Sequence, residues 1–166
     1  NDSIVVLDND TIWQITASAA CVQTHITINN KKYEWLKDEI NKLKNYRYGC
    51  MEQTTSKLKA LLLEKKLNAF LKLPFTDDAT VYKCIKILEK NQLDNGAWTW
   101  WGRGNQEEWV TFYVGEALNK AAAMGYKTKA LPSFFNYISE NLNSFSLEGK
   151  IRALLLLHEQ GATLDY

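Results

Sequence analysis

The chain has 166 residues, of which 46% are hydrophobic and 23% charged, and its formal net charge is +1 at pH 7. This is the composition and length of one soluble globular domain, or of a large part of one. The nearly balanced charge gives no electrostatic reason to expect nucleic acid or an anionic membrane as a partner. The longest apolar run, residues 153–157, is far shorter than the roughly 18 residues of a membrane span, so direct membrane insertion is not expected.

The start of the chain carries no recognisable targeting signal, since residues 1–3 lack a basic region followed by an apolar one. The first residue is not Met, so we expect a chain that has been processed or cut from a longer one. Residues 4–7 predict a short strand, which the turn-forming residues 8–10 end. We therefore interpret 1–10 as a strand or linker from a preceding domain and 11–166 as a helical domain.

Helical periodicity dominates the rest of the chain. It predicts helices over residues 33–44, 54–72, 77–91, 132–143 and 146–160. A further helix is predicted between the third and fourth of these, with Asn105 as its cap and Glu108 three residues on, the spacing of a capping box. The pair Asp77-Asp78 suits the start of the helix that follows it.

Apolar stripes along these helices predict which faces are buried. The expected faces are Leu63, Leu67, Phe70 and Leu71 on the second helix, and Leu147, Ile151, Leu154, Leu155 and His158 on the last. The helix after Asn105 has little charge, and Gly115 permits close approach of a neighbour, which indicates a buried inner helix. The fold class is therefore all-α, built from antiparallel helical hairpins, and the pattern fits a bundle, a solenoid or an arc of a toroid.

Three cysteines, Cys21, Cys50 and Cys84, have neither an even count nor metal-ligand spacing. We expect no disulfide framework, no metal and no cofactor. Cys84 lies on an apolar stripe and Cys21 ends an Ala-rich segment, so both are interpreted as small buried hydrophobic residues. Cys50 differs from them because of its neighbours.

The tetrapeptide Cys50-Met51-Glu52-Gln53 places a thiol three residues from a side-chain amide. The two groups can close a thiolactone ring and expel ammonia, and Gly49 supplies backbone freedom for the fold-back. Amide N–H groups at the start of the following helix would stabilise a thiolate or an oxyanion. The resulting thioester acylates an amine or hydroxyl once, without turnover, so the chain is not expected to be an enzyme.

A string Cys-x-Glu-Gln arises by chance in on the order of one in a hundred chains of this size, so its surroundings decide its meaning. Residues 46–57, YRYGCMEQTTSK, closely resemble the thioester signature of the alpha-2-macroglobulin family, especially of its bacterial members. A second resemblance is to the family's glutamine, glycine and aromatic loop and the inner toroid helix after it. It covers 92–98 (QLDNGAW), 100–102 (WWG), 109–118 (WVTFYVGEAL) and Gly125-Tyr126.

The resemblance implies an α/α-toroid thioester domain, of which residues 11–166 would form the N-terminal half. Cys50 and Gln53 would be the cross-linked pair, with Gly49 and Glu52 as supporting motif residues. The parent protein would be an endopeptidase inhibitor that captures proteases after cleavage of a bait region. Its other partners would be the neighbouring domains of the same chain, and its location the periplasm, the cell envelope or the extracellular space.

Two positions bear on how closely the pattern is followed. Met51 stands where animal members have glycine, a position at which bacterial members vary. His158 lies about where complement proteins carry the histidine that favours hydroxyl acceptors, but its surroundings do not match. We therefore interpret His158 as a partly buried helix residue and expect amine acceptors.

Three alternatives are open at this stage. A terpene-cyclase or prenyltransferase-like toroid would explain the motif from Gln92 to Trp98, although Trp98, Trp100 and Trp101 can equally cover helix ends. A cysteine hydrolase would use Cys50 with His25 or His158 as base, but Gln53 would then have no role. A degenerate scaffold would keep the motif without forming the bond.

Overall fold

The computed structural model describes residues 31–46 and 49–161, and within these ranges it contains helices and no strand. The helices belong to the unit Lys32–Tyr166, apart from the first residue of α1. They are α1 (Lys31–Lys44), α2 (Met51–Phe70), α3 (Asp78–Lys90), α4 (Glu108–Ala123), α5 (Leu131–Glu140), a 3-10 turn (Leu142–Ser144) and α6 (Leu147–Glu159). The predicted all-α class is confirmed. The predicted strand at 4–7 and the domain boundary at 10/11 lie outside the described residues.

Helix α4 is the inner helix of this arrangement. It packs against α2 on one side and against α5 and α6 on others, while α2 also packs against α3. Its buried residues are Val110, Thr111, Phe112, Val114, Gly115, Ala117, Leu118 and Ala121. A Cβ at Gly115 would lie 2.2 Å from the ring of Phe134, so the glycine lets α5 approach closely. The prediction of a buried inner helix is confirmed.

The start of α4 was predicted incorrectly. The helix begins at Glu108 with Glu107 at the N-cap, and Asn105 lies exposed before it. The Glu108 carboxylate instead accepts hydrogen bonds from the backbone N–H of Ser146, at 3.1 Å, and from the Ser146 hydroxyl. A long-range contact with the start of α6 therefore replaces the local capping box.

The buried faces of α2 and α6 also differ from the prediction. On α2, Leu67 is buried as predicted, but Leu63 and Phe70 are 44% and 73% exposed. The fully buried leucines of this helix are Leu58 and Leu61. On α6, Leu147, Ile151 and Leu155 are exposed, and the buried residues are Gly149, Ala153, Leu156 and Leu157. Both helices contain runs of consecutive leucines, which satisfy more than one helical register and leave the buried stripe ambiguous.

The pair Asp77-Asp78 stands at the start of α3, as predicted, but neither carboxylate caps the helix. Asp77 accepts a 2.6 Å hydrogen bond from the Lys44 ammonium, which also bonds Glu64 at 2.8 Å. Asp78 pairs with Lys65 at 2.9 Å. These contacts attach α1 and α3 to α2.

The loop between α3 and α4 is held by its glutamine and its first tryptophan. The Gln92 amide donates to the carbonyl oxygens of Gly96 and Ala130, at 2.9 and 3.0 Å. The Trp98 side chain is fully buried, and its indole N–H donates to the carbonyl oxygen of Leu88 at 2.8 Å. The motif from Gln92 to Trp98 therefore serves to pack this loop between α3 and α5.

Candidate functional site

The Cys50–Gln53 tetrapeptide forms the first turn of α2. Cys50 is the N-cap residue, with extended backbone angles (φ −70°, ψ 164°), and Gln53 is the third residue of the helix. The helix starts three residues earlier than predicted, so Gln53 lies within it rather than before it. In this geometry the N-cap side chain and the side chain three residues on lie on the same side of the helix end, as in a capping box. The fold thus places Cys50 and Gln53 on the same side of the start of α2.

The start of α6 shows how an N-cap side chain normally bonds to the residue three positions on. There the Ser146 hydroxyl accepts a hydrogen bond from the N–H of Gly149, three residues on, at 3.1 Å. Cys50 makes no such capping bond. Sulfur is a weak acceptor, so a cysteine leaves the helix start less satisfied than Ser, Thr, Asp or Asn would. A cysteine at this position is therefore poorly explained by helix capping.

The side-chain oxygen of Gln53 is buried and accepts no hydrogen bond within the described part of the structure. Buried amide oxygens nearly always have a donor, and leaving one unsatisfied costs about 1–3 kcal/mol. A thioester carbonyl is a weaker acceptor than an amide carbonyl because sulfur donates less electron density than nitrogen. The unpaired oxygen is therefore compatible with a thioester carbonyl, which needs a hydrogen-bond donor less than an amide carbonyl does.

Cys50 is 4% exposed, and its thiol donates to Oε2 of Glu52 across 3.8 Å. The other carboxylate oxygen of Glu52 accepts a 3.1 Å hydrogen bond from the hydroxyl of Ser56, one turn further along α2. The Ser56 hydroxyl is in turn 3.0 Å from the phenol oxygen of Tyr113 on α4. A continuous polar path therefore runs from the thiol to the inner helix.

The loop between α3 and α4 (residues 91–107), here called the aromatic loop, contacts the site directly. The backbone N–H of Met51, the first residue of α2, donates to the carbonyl oxygen of Trp100 at 2.9 Å. The Trp100 ring stacks on Trp109 (5.5 Å, 23°), and Trp109 stacks on Tyr113 (4.9 Å, 13°). The two stretches that carry the family resemblance thus meet at the start of α2.

Lys59 closes the far end of this aromatic stack. Its ammonium lies 3.5 Å from the centroid of the Tyr113 ring and 3.7 Å from the Glu116 carboxylate. Burial lowers the pKa of Lys59 to about 8, although the Glu116 carboxylate opposes the shift. The Trp109 ring and the Lys59 ammonium both contact the Tyr113 ring, and Glu116 pairs with Lys59. Together they fix Tyr113 beside Ser56.

The remaining candidate residues lie away from this arrangement or add little to it. Cys84 is buried as predicted, and burial raises the pKa of its thiol. His158 is exposed near the end of α6, so the prediction of partial burial is wrong. A Cβ at Gly49 would meet no atom of the described residues within 4 Å. Cys21 and His25 lie outside the described residues.

Of the three predicted packing tryptophans, Trp98 is buried, but Trp100 and Trp101 are 41% and 64% exposed. The sequence reasoning did not single out Ser56, Tyr113 or Lys59. Two of these contacts follow helical spacing: Ser56 is four residues after Glu52, and Tyr113 is four after Trp109. The contacts between α2 and α4 required the three-dimensional structure.

The described residues offer neither a metal-binding cluster nor a membrane-spanning helix. Within residues 31–46 and 49–161, no cluster of three or more His, Cys, Asp or Glu side chains is placed to hold a metal ion. Among the helices that the structure describes, none has both the length and the hydropathy of a membrane span.

No protein-family model matches the sequence. Alpha-2-macroglobulin from Escherichia coli strain K12 is 38% identical to the chain in an alignment 93 residues long, which covers 52% of this chain and 6% of that protein. A crystal structure of native Escherichia coli alpha-2-macroglobulin, spanning domain MG7 to the C-terminus, superimposes with a TM-score of 0.63 at 30% identity. The superposition covers 75% of this chain and 23% of that one. The chain belongs to the alpha-2-macroglobulin family.

A second solved structure agrees with this assignment. The cryo-EM reconstruction of the native conformation of Escherichia coli alpha-2-macroglobulin also gives a TM-score of 0.63 at 30% identity, covering 76% of this chain and 9% of that one. The chain thus matches a small part of much longer alpha-2-macroglobulins, and the match includes sequence as well as fold.

Proposed function

We propose that this chain carries the reactive thioester of a protease-trapping alpha-2-macroglobulin, formed between Cys50 and Gln53. The observation that carries the proposal is the first turn of α2, where a buried thiol at the N-cap stands three residues before a glutamine whose buried carbonyl oxygen accepts no hydrogen bond from the described residues. Membership of the alpha-2-macroglobulin family supports it independently.

In the proposed reaction, the Cys50 sulfur is acylated by the side-chain carbonyl of Gln53, and ammonia leaves. The bond stores acyl reactivity, because a thiolate is a better leaving group than an amide nitrogen. An amine on a bound protease then attacks the carbonyl carbon, the C–S bond breaks, and the protease remains attached to residue 53 by an amide. The thiol of Cys50 is released. Each molecule acts once, which makes the protein an inhibitor and not a turnover enzyme.

An amine, rather than a hydroxyl, is the proposed acceptor. The thiol's hydrogen bond goes to Glu52, and His158 lies exposed on α6, which is not among the helices that pack closely on α2. A lysine ε-amino group attacks a thioester without needing a histidine to carry the acyl group. Methylamine should therefore react far faster than glycerol at equal concentration.

Residues 11–166 are proposed to form the N-terminal half of an α/α toroid, and 1–10 a strand or linker from the preceding domain. The exposed stripe on α6, which contains Leu147, Ile151 and Leu155, supports further helical packing there. The proposed partners are captured proteases and the neighbouring domains of the parent chain. The proposed location is the periplasm, the cell envelope or the extracellular space.

Intact-mass measurement of the native full-length protein tests the thioester. The protein should be lighter than its sequence mass by one ammonia. Methylamine should then add its own mass to the protein and free one thiol. In the Cys50→Ala variant the deficit should vanish, and protease conjugates should be lost while the fold is kept. Cys84→Ala is the matched control and should retain the deficit.

Each rival function predicts a different result. A full-length protein with no mass deficit and no methylamine-dependent thiol would contradict the proposal and leave a degenerate scaffold. A cysteine hydrolase would show repeated turnover of a substrate, which alkylation of Cys50 would stop.

A further inference from the structure

We propose that Glu52 is the catalytic residue that closes the thioester, and that Ser56 and Tyr113 are the positioning residues that hold its carboxylate against Cys50. This inference rests on the proposed Cys50–Gln53 bond, and it assigns a chemical role to the acidic residue between its two partners.

The contacts of Glu52 use both carboxylate oxygens. Oε2 accepts from the Cys50 thiol across 3.8 Å, and Oε1 accepts from the Ser56 hydroxyl at 3.1 Å. A carboxylate in the first turn is also favoured by the helix dipole. Glu52 therefore has one oxygen on a reacting atom and one on an anchor, which is the arrangement of a positioned general base.

The anchor is itself fixed from α4. The phenol oxygen of Tyr113 is 3.0 Å from the Ser56 hydroxyl. The Tyr113 ring lies between the Trp109 ring, at 4.9 Å, and the Lys59 ammonium, at 3.5 Å. A phenol held on both faces has little freedom to move away, so the path from Tyr113 through Ser56 to Glu52 is preorganised.

Closing the thioester requires one proton to move. The Cys50 thiol must lose its proton before the sulfur attacks the side-chain carbonyl carbon of Gln53. The departing amide nitrogen must gain a proton to leave as ammonia. The Glu52 carboxylate accepts the thiol proton and passes it to that nitrogen as the C–S bond forms and the C–N bond breaks. The carboxylate ends in its original state, and no other reactant is needed.

The reverse reaction uses the same residue, because forward and reverse reactions share one transition state. When ammonia opens the thioester, Glu52 takes a proton from the attacking nitrogen and returns it to the Cys50 thiolate. Replacing Glu52 should therefore slow closing and opening by the same factor and leave the equilibrium between them unchanged. A residue with only a structural role would shift the equilibrium instead.

The test uses the full-length protein and its Glu52→Gln variant at one fixed ammonia concentration. The closed fraction is followed by intact mass until it stops changing. We expect the variant to reach the wild-type closed fraction on the order of 10²-fold more slowly, the effect typical of a general acid–base group. Glu64→Gln, on the same helix but bonded to Lys44, is the matched control and should behave as wild type.

The rate at which the closed fraction reaches equilibrium also tests the positioning residues, Ser56 and Tyr113. Ser56→Ala should slow the approach to equilibrium by a smaller factor, and Ser56→Thr, which keeps the hydroxyl, should restore it. Tyr113→Phe should resemble Ser56→Ala. If Glu52→Gln does not fold, as judged by circular dichroism, the Ser56→Ala and Ser56→Thr pair decides the question.

A wild-type rate in Glu52→Gln would overturn the inference, as would a changed closed fraction at an unchanged rate. In the fallback, a wild-type rate in Ser56→Ala would overturn it. A wild-type protein that never shows the ammonia deficit would be a different failure, since it would refute the thioester itself.

Discussion

The backbone N–H of Met51 donates to the carbonyl oxygen of Trp100 at 2.9 Å and thereby ties the start of α2 to the loop before α4. A first-turn N–H has no partner within its own helix, so it needs one from elsewhere. Here the partner comes from a segment about fifty residues away in sequence. The first turn of α2 and the aromatic loop therefore form one structural unit, and the family resemblance includes both.

Met51→Pro tests this link. Proline is normally well tolerated at the first position of a helix, but here it removes the N–H that Trp100 accepts. We expect Met51→Pro to unfold more easily than Met51→Ala by about 1–2 kcal/mol, because the alanine variant keeps the donor while losing the same buried side chain. Urea unfolding followed by circular dichroism measures the difference, and equal stabilities would show that the hydrogen bond contributes nothing.

The aromatic loop should depend on Trp98 and not on Trp101. Trp98→Phe removes an indole N–H that donates to Leu88 and leaves a gap in a fully buried position, so we expect a loss of about 2 kcal/mol. Trp101→Phe, at a position 64% exposed, should change the stability by less than about 0.5 kcal/mol. Comparable losses in the two variants would contradict the assignment of Trp98 as the packing residue.

Close packing of α4 on α5 should depend on Gly115. A Cβ there would lie 2.2 Å from the Phe134 ring, so Gly115→Ala should destabilise the fold by about 1–3 kcal/mol. The same change at Gly49, where a Cβ meets no described atom within 4 Å, is the control. Adding Phe134→Leu should make the two changes non-additive, because the smaller side chain relieves the clash. Additive losses would argue against direct contact.

The low pKa of Lys59 predicts a pH dependence of stability. Burial lowers the pKa from 10.5 to about 8, so the unfolded chain binds more protons than the folded one between these values. Stability should therefore rise with pH across this window, and Lys59→Met should lack that increase. Denaturant unfolding of both proteins at pH 8 and pH 10 measures the effect. Subtracting the unfolding free energy of the Met variant from that of the wild type at each pH removes the contributions of other titrating groups. A wild-type advantage that falls with pH would have the wrong sign.

The sequence predicted the helical class and most helix boundaries to within a few residues, because periodic apolar spacing and end signals are local. It failed for the buried face of α2, where Leu61, Leu62 and Leu63 occupy successive positions and only the first two are buried. It also failed for Asn105, because Glu108 is committed to Ser146, 38 residues away. Neither the buried face of the leucine run nor the Glu108–Ser146 contact can be read from local spacing.

For the candidate site, the sequence names the residues that we propose to react, but it does not give their environment. Cys50 and Gln53 follow from the tetrapeptide, but the Glu52–Ser56–Tyr113 path joins α2 to α4 and depends on their packing. The exposure of His158 depends on which stripe of α6 faces inward, and the leucines of that helix allowed the wrong choice. Long-range packing therefore supplied most of what the sequence did not.

Residue-level mapping of the methylamine reaction tests the central claim most directly. Native full-length protein is treated with methylamine together with a thiol-alkylating reagent, digested, and read by tandem mass spectrometry. The account predicts N-methylglutamine at position 53 and the alkyl group on Cys50, in equal amounts and only after methylamine is added. An unmodified Gln53 amide, or a Cys50 thiol that is alkylated equally well without methylamine, would contradict it.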